Sequence, residues 1–156
     1  MIKQSFLQIL QYNIRKLLKI QKSFLIDREV RDFDIVVIQK QSCNINDMQL
    51  FNSVHNFFYL VKNTSSQLRT CIYVNKCLKL NQWVIETAES DICLIRILTC
   101  NTDDKTQTLQ LINIYNSCLL FFTFIKKSSI ISCLSELLKN DCKQLIMRDF
   151  NLHHSR

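Results

Sequence analysis

The sequence predicts an α+β protein whose strands form a layered, largely antiparallel sheet. Short apolar segments rich in β-forming residues recur along the chain, whereas helical periodicity is confined to one stretch near each end. The polar stretch NTDDKTQ also separates two alternating segments, DICLIRILTC and TLQLINIY. That arrangement is typical of an antiparallel hairpin.

The individual elements follow from these patterns. The predicted strands cover residues 6–14, 34–39, 57–62, 71–75, 83–87, 92–99, 108–115 and 144–147. Each predicted helix places four apolar residues on one face. These residues are Leu17, Leu18, Phe24 and Leu25 in the first helix, and Ile130, Leu134, Leu137 and Leu138 in the second.

Composition narrows the class of protein. The chain has 156 residues, of which 47% are hydrophobic and 21% charged, as in a folded globular domain or part of one. Its longest apolar run, residues 118–125, is far shorter than the twenty or so residues of a membrane span. The eight cysteines form no CxxC pair, so we expect reduced thiols in an intracellular protein without zinc. The net charge of +7 favours a polyanionic partner.

The chain contains no glycine and no proline. Average usage would give about eleven glycines and about eight prolines in this length. An AT-rich genome accounts for part of this bias, but glycine is normally kept where a turn requires positive φ. The complete loss therefore indicates mutational drift.

Polar residues lie at the ends of several predicted strands. Because strand ends on one edge of a sheet converge, these residues can form one pocket. Taken singly, each is also typical of a turn or a helix cap. The residues are Asn13, Lys40, Tyr115, Asn116, Asp149 and Asn151.

In chain order, the polar residues belong to a series of motifs: Q-x-N, D-I-x-x-I-Q, N-x-Y-N and D-F-N-x-H-H. The series resembles the endonuclease/exonuclease/phosphatase superfamily, and more closely the endonuclease domain of fungal LINE-type (non-LTR) retrotransposons. The resemblance covers roughly residues 8–154. It implies a four-layer α/β/β/α sandwich (DNase I-like), of which residues 1–156 would be a single partial, truncated domain lacking its C-terminal portion. In such an element a reverse transcriptase would be encoded downstream.

The resemblance also implies roles for individual residues. DNA would be the substrate, and Mg²⁺ would neutralise charge on the leaving oxygen. Asn13 would lie beside the metal, and Arg15 and Asn116 would contact the substrate. The catalytic residues would be Tyr115 on a phosphate oxygen, Asp149 on the attacking water and Asn151 on the scissile phosphate.

Departures from the family pattern point to lost activity. Lys40 replaces the metal-binding glutamate, Arg148 replaces a glycine, and Ser117 replaces a proline. Each change requires one G-to-A or C-to-T transition, as in the directed decay of repeated fungal DNA, although Gln41 does not fit. An ammonium group repels Mg²⁺, so the resemblance implies an inactive, decayed fragment of a nuclear enzyme in which Mg²⁺ binding is doubtful.

Other interpretations stay open. The chain could be a non-catalytic nucleic-acid-binding module, since +7 suits phosphate contacts. It could also be an unrelated α+β protein in which the motifs coincide. For a partial domain we expect exposed apolar surface and unpaired strand edges, and therefore poor folding in isolation.

Overall fold

All of the predicted strands are confirmed. A computed structural model describes residues 6–13, 23–24, 26–39, 56–62, 69–88, 91–100, 106–115 and 142–148. The strands are β1 (Ile9–Asn13), β2 (Ile35–Gln39), β3 (Phe58–Val61), β4 (Thr70–Asn75), β5 (Trp83–Ala88), β6 (Ile92–Cys100), β7 (Thr106–Ile114) and β8 (Lys143–Arg148). Between β1 and β2 lies the helix α1 (Arg28–Arg31), and a 3₁₀ turn (Leu80–Gln82) precedes β5.

The strands form two four-stranded sheets. The first has the order β1-β2-β4-β3 and the second has the order β5-β6-β7-β8. Strands β6 and β7 pair antiparallel from Ile92↔Ile114 to Cys100↔Thr106, which confirms the predicted hairpin. Both sheets are nevertheless mixed, because β1 pairs parallel with β2 and β7 pairs parallel with β8. The long connections within these two pairs allow the crossover that a parallel pair requires.

Helical structure occupies little of the described chain. Asp27 caps α1 by accepting a hydrogen bond from the Glu29 backbone N–H at 2.9 Å, and Val30 is buried. Of the first predicted helical face, Phe24 is helical, whereas Leu17, Leu18 and Leu25 lie outside the described residues. The second predicted helix, around residues 130–138, also lies outside them. No helix in the described ranges is long and apolar enough to cross a membrane.

The main hydrophobic core lies between the two sheets. Its buried members come from alternate positions of β2, β4, β6 and β7, with Val61 of β3. The outer faces of the central strands are buried as well, by a cluster on the first sheet that includes Val30 and Tyr73 and by a smaller cluster on the second. Burial on both faces explains why β2 and β4 are continuous apolar runs in the sequence, and it agrees with a layered sandwich.

Asn75 attaches α1 to the end of β4. Its side-chain amide donates to the carbonyl oxygens of Arg31 at 2.8 Å and Phe33 at 3.0 Å, and its Oδ1 accepts from the Cys77 backbone N–H at 3.0 Å. A single largely buried amide therefore satisfies groups on both sides of the turn.

The edge strands of the second sheet expose apolar side chains. Val84 and Ile85 of β5 and Ile146 of β8 are each between 44% and 51% exposed. Exposed apolar edges favour association between chains. Poor folding of the isolated chain stays a prediction.

Four of the described cysteines are thiols. Cys71 and Cys93 are buried, Cys77 is exposed and Cys142 is intermediate. Burial raises the pKa of the Cys93 thiol to about 12, because a thiolate would lose its hydration in the core. Cys71 and Cys93 thus act as core residues, whereas Cys77 and Cys142 do not.

Candidate functional site

The carboxyl ends of β1 and β2 lie side by side. Because these strands are parallel and paired from Ile9↔Ile35 onward, Asn13 lies opposite Gln39. Asn13 is partly exposed, whereas Gln39 is only 1% exposed. This pairing places Asn13, a predicted site residue, next to Gln39, which precedes Lys40 in the chain.

The carboxyl ends of β7 and β8 form a second parallel pair. Ile114 lies opposite Arg148, and Tyr115 follows Ile114 directly. Tyr115 is largely buried, and its backbone N–H donates to the Asp91 carbonyl oxygen at 2.8 Å. At this edge of the second sheet, Tyr115 follows the end of β7, and Arg148 ends β8 just before Asp149.

A buried bridge joins these two pairs of strand ends across the sandwich. Gln39 Nε2 donates to Asn113 Oδ1 at 3.0 Å and to the Ile114 carbonyl oxygen at 3.2 Å. Asn113 Nδ2 in turn donates to the carbonyl oxygens of Ile38 at 3.1 Å and Cys71 at 3.2 Å. The carboxyl ends of β1, β2, β7 and β8 are thus held at one side of the molecule, which we call the strand-end edge.

The strand-end edge brings together the two predicted site residues that the structure describes, Asn13 and Tyr115. The other five lie outside the described residues, namely Arg15, Lys40, Asn116, Asp149 and Asn151. Lys40 directly follows the last residue of β2, and Asp149 directly follows the last residue of β8. Their roles stay predictions.

Sequence reasoning missed the Gln39–Asn113 bridge. Each residue is the single amide in an apolar stretch, VVIQ and LINI respectively. A lone amide in a buried strand needs hydrogen-bond partners, so this pattern could have indicated a buried polar pair. Gln11 extends the bridge, because its Nε2 donates to Gln39 Oε1 at 3.1 Å.

A charged pair at the same edge was also missed. Arg69 precedes β4 and Asp91 precedes β6, and Arg69 Nη1 lies 3.4 Å from Asp91 Oδ1. The Arg69 Cζ atom also lies 5.8 Å from the centre of the Tyr115 ring. The two residues are distant in sequence and belong to no recognisable motif.

The described residues do not form a Mg²⁺ site. Mg²⁺ requires near-octahedral oxygen ligands, usually including one or two carboxylates. At the strand-end edge the Gln39 amide is engaged with Asn113, and the Asp91 carboxylate is engaged with Arg69. Among the residues that the structure describes, no group of three or more His, Cys, Asp or Glu residues could hold a metal.

Comparison with known proteins identifies the fold. No protein-family model and no curated protein sequence matches the chain. Among solved structures, the endonuclease domain of TRAS1, a telomere-specific non-LTR retrotransposon, superimposes with a TM-score of 0.60 at 16% identity. The match covers 91% of this chain and 57% of that domain.

Two further structures share the arrangement. Truncated TDP2 of Caenorhabditis elegans has a TM-score of 0.59 at 15% identity, covering 95% of this chain and 63% of TDP2. The human Nocturnin catalytic domain has a TM-score of 0.51 at 11% identity, covering 96% of this chain and 65% of Nocturnin. The chain thus spans about three fifths of the length of the structures it matches. The chain has the fold of these structures, which is the DNase I-like fold that the resemblance predicted.

Proposed function

We propose that this chain derives from a retrotransposon DNA endonuclease and does not hydrolyse phosphodiester bonds. The fold is one that nucleases and phosphodiesterases use, and metal-dependent families share it. The order of the four motifs and the likeness to the TRAS1 endonuclease domain support the retrotransposon origin. The Gln39–Asn113 bridge is the structural observation that supports descent from such an enzyme. It holds the ends of both sheets together at the edge where the site of the enzyme would lie.

The residues at this edge could still contact a phosphate. The Asn13 amide and the Tyr115 hydroxyl are of the types that donate to phosphate oxygens, and Asp149 would accept a proton from water. A divalent ion in related families would stabilise the charge that develops on the leaving oxygen. In this chain we expect these residues to contact a phosphate without completing phosphodiester hydrolysis.

Lys40 accounts for the loss of hydrolysis. It follows Gln39 directly, where the resemblance places a metal-binding glutamate. Two like unit charges about 4 Å apart repel by roughly 4 kcal/mol at an effective dielectric constant near 20. A lysine therefore removes a ligand and also opposes the approach of a cation.

The test is nicking of supercoiled plasmid DNA with Mg²⁺, with and without a chelator. We expect the purified chain to leave the plasmid supercoiled, while an active nuclease of the same fold relaxes it in parallel. Chelator-sensitive nicking by the unmodified chain, abolished in Asp149→Ala, would show that the chain is a working nuclease and would refute the proposal.

A second candidate function is nucleic-acid binding without cleavage. The observation that favours it is Arg69 beside Tyr115 at the strand-end edge, in a chain with a net charge of +7. A neighbour of this fold, TDP2 of D. rerio, is known in complex with a single-stranded DNA product. Binding of labelled DNA that weakens as salt rises, without cleavage, would support this function. Affinity that does not depend on salt would contradict it.

A further inference from the structure

Three chain segments meet at the amino-terminal ends of β4 and β6 and the carboxyl end of β7. Thr70 of β4 lies opposite Gln39, so Arg69 lies beside the end of β2. Ile92 of β6 lies opposite Ile114, so Asp91 lies beside Tyr115. All three segments reach the strand-end edge, although they are far apart in the sequence.

The Arg69 guanidinium is held in place from two sides. Asp91 Oδ1 lies 3.4 Å from Arg69 Nη1, and the Tyr115 ring lies beneath the guanidinium. The backbone of Asp91 is fixed, because its carbonyl oxygen accepts the Tyr115 backbone N–H at 2.8 Å. Side chains held in this way lose less conformational entropy when they bind a ligand.

The guanidinium is also accessible. The side chain of Arg69 is 24% exposed, and that of Asp91 is 12% exposed. A guanidinium presents five N–H groups in a planar fork, so it can donate to a carboxylate and to a phosphate at the same time. Arg148 ends β8 at the same edge, so the described charges there, Arg69, Asp91 and Arg148, leave a net positive charge.

We propose that Arg69, oriented by Asp91 and Tyr115, binds a backbone phosphate of nucleic acid at the strand-end edge. This proposal rests on nucleic-acid binding by the chain and names the residue that performs it. Tyr115 is only 8% exposed, so it supports the guanidinium rather than offering its ring to a base. The contact therefore carries no sequence preference.

The experiment measures the affinity for a labelled DNA duplex by fluorescence anisotropy at several NaCl concentrations. For Arg69→Ala we expect several-fold weaker binding, and a slope of log K against log salt that is smaller by about 0.9, the value for one lost phosphate contact. Arg69→Lys should retain the slope and recover only part of the affinity, because lysine binds phosphate without the planar fork.

Arg96→Ala is the matched control. Arg96 is an exposed arginine of β6 that also pairs with one carboxylate, that of Glu86. We expect this variant to keep nearly the affinity and slope of the unmodified chain. Circular dichroism checks that each variant folds, and Arg69→Lys decides the question if Arg69→Ala does not fold.

The other outcomes distinguish the role of Arg69 from nucleic-acid binding by the chain. If the unmodified chain binds DNA and Arg69→Ala behaves like Arg96→Ala, the role of Arg69 is wrong while nucleic-acid binding stands. If the unmodified chain shows no salt-dependent binding, both proposals are wrong. Inorganic phosphate alone, measured by calorimetry without DNA, distinguishes free phosphate from a nucleic-acid phosphate. If Arg69→Ala abolishes low-micromolar binding of inorganic phosphate but leaves the affinity for DNA and its salt slope unchanged, the site takes free phosphate and the assignment to nucleic acid is wrong.

Discussion

Replacing Asn113 with alanine should destabilise the protein strongly, because this side chain joins the two sheets. Asn113 is fully buried and takes part in three side-chain hydrogen bonds, with Gln39 and with the carbonyl oxygens of Ile38 and Cys71. Each buried polar group left without a partner costs about 1–3 kcal/mol. Gln39 keeps its bond to the Ile114 carbonyl oxygen, so we expect a total loss of about 2–4 kcal/mol.

Urea unfolding followed by the fluorescence of Trp83, the single tryptophan, measures this loss. Gln107→Ala is the matched control, because it removes an amide that bonds Lys143 at the surface. We expect the control to change the free energy of unfolding by less than about 0.5 kcal/mol. An equal loss of unfolding free energy in Asn113→Ala and Gln107→Ala would refute the reasoning.

Asn113→Asp separates the loss of hydrogen bonds from the loss of volume. Aspartate has nearly the same shape, but at neutral pH its carboxylate would face the carbonyl oxygens of Ile38 and Cys71. An uncompensated buried charge costs about 3–5 kcal/mol, so this variant should be less stable than Asn113→Ala at pH 7. Its deficit should shrink as the pH falls and the carboxyl group becomes protonated. A deficit that does not depend on pH would contradict a buried carboxylate.

Three other variants test the core, the metal position and the exposed edge. The pKa of Cys93 is about 12 in the folded chain and near 9 when unfolded, so its stabilising contribution is complete below pH 9 and is lost as the pH rises towards 12. The free energy of unfolding, taken from urea curves between pH 8 and 10.5, should therefore fall less steeply in Cys93→Ala than in the unmodified chain, by up to about 1.4 kcal/mol per pH unit; parallel profiles would contradict this. Lys40→Glu should tighten Mn²⁺ binding, measured by calorimetry, by about tenfold or more, because it removes a repulsive charge and adds a ligand. The control is Lys79→Glu, the same charge change at an exposed lysine beyond the other end of β4, which should not tighten Mn²⁺ binding. An equal increase in Mn²⁺ affinity in the two variants would show that only net charge matters. Ile146→Lys should raise the concentration at which the chain scatters light, since Ile146 is 44% exposed on an edge strand. Gln144→Lys adds the same charge and keeps Ile146, so an equal effect from it would exclude the apolar edge as the cause.

The strands and their positions along the chain were predictable from sequence, because each strand carries its own signal. Strands β2 and β4 are buried on both faces and appear as apolar runs rich in β-branched residues, while β6 and β7 flank a polar turn. The motifs correctly placed Asn13 and Tyr115 at strand ends. These features depend on residues close together in the chain, so a local pattern is sufficient to identify them.

Tertiary structure decided which strand ends meet and what holds them. The Gln39–Asn113 bond joins residues 74 positions apart, and the Arg69–Asp91 pair joins two strand starts that share no motif. Such contacts depend on the register within each sheet and on the packing of one sheet against the other. No local pattern encodes either relation, because a buried amide or an arginine has the same sequence signature whichever partner it finds. The sequence by itself therefore determined the strands and the residue types at their ends, and only the packing of the two sheets determined that these residues share one edge.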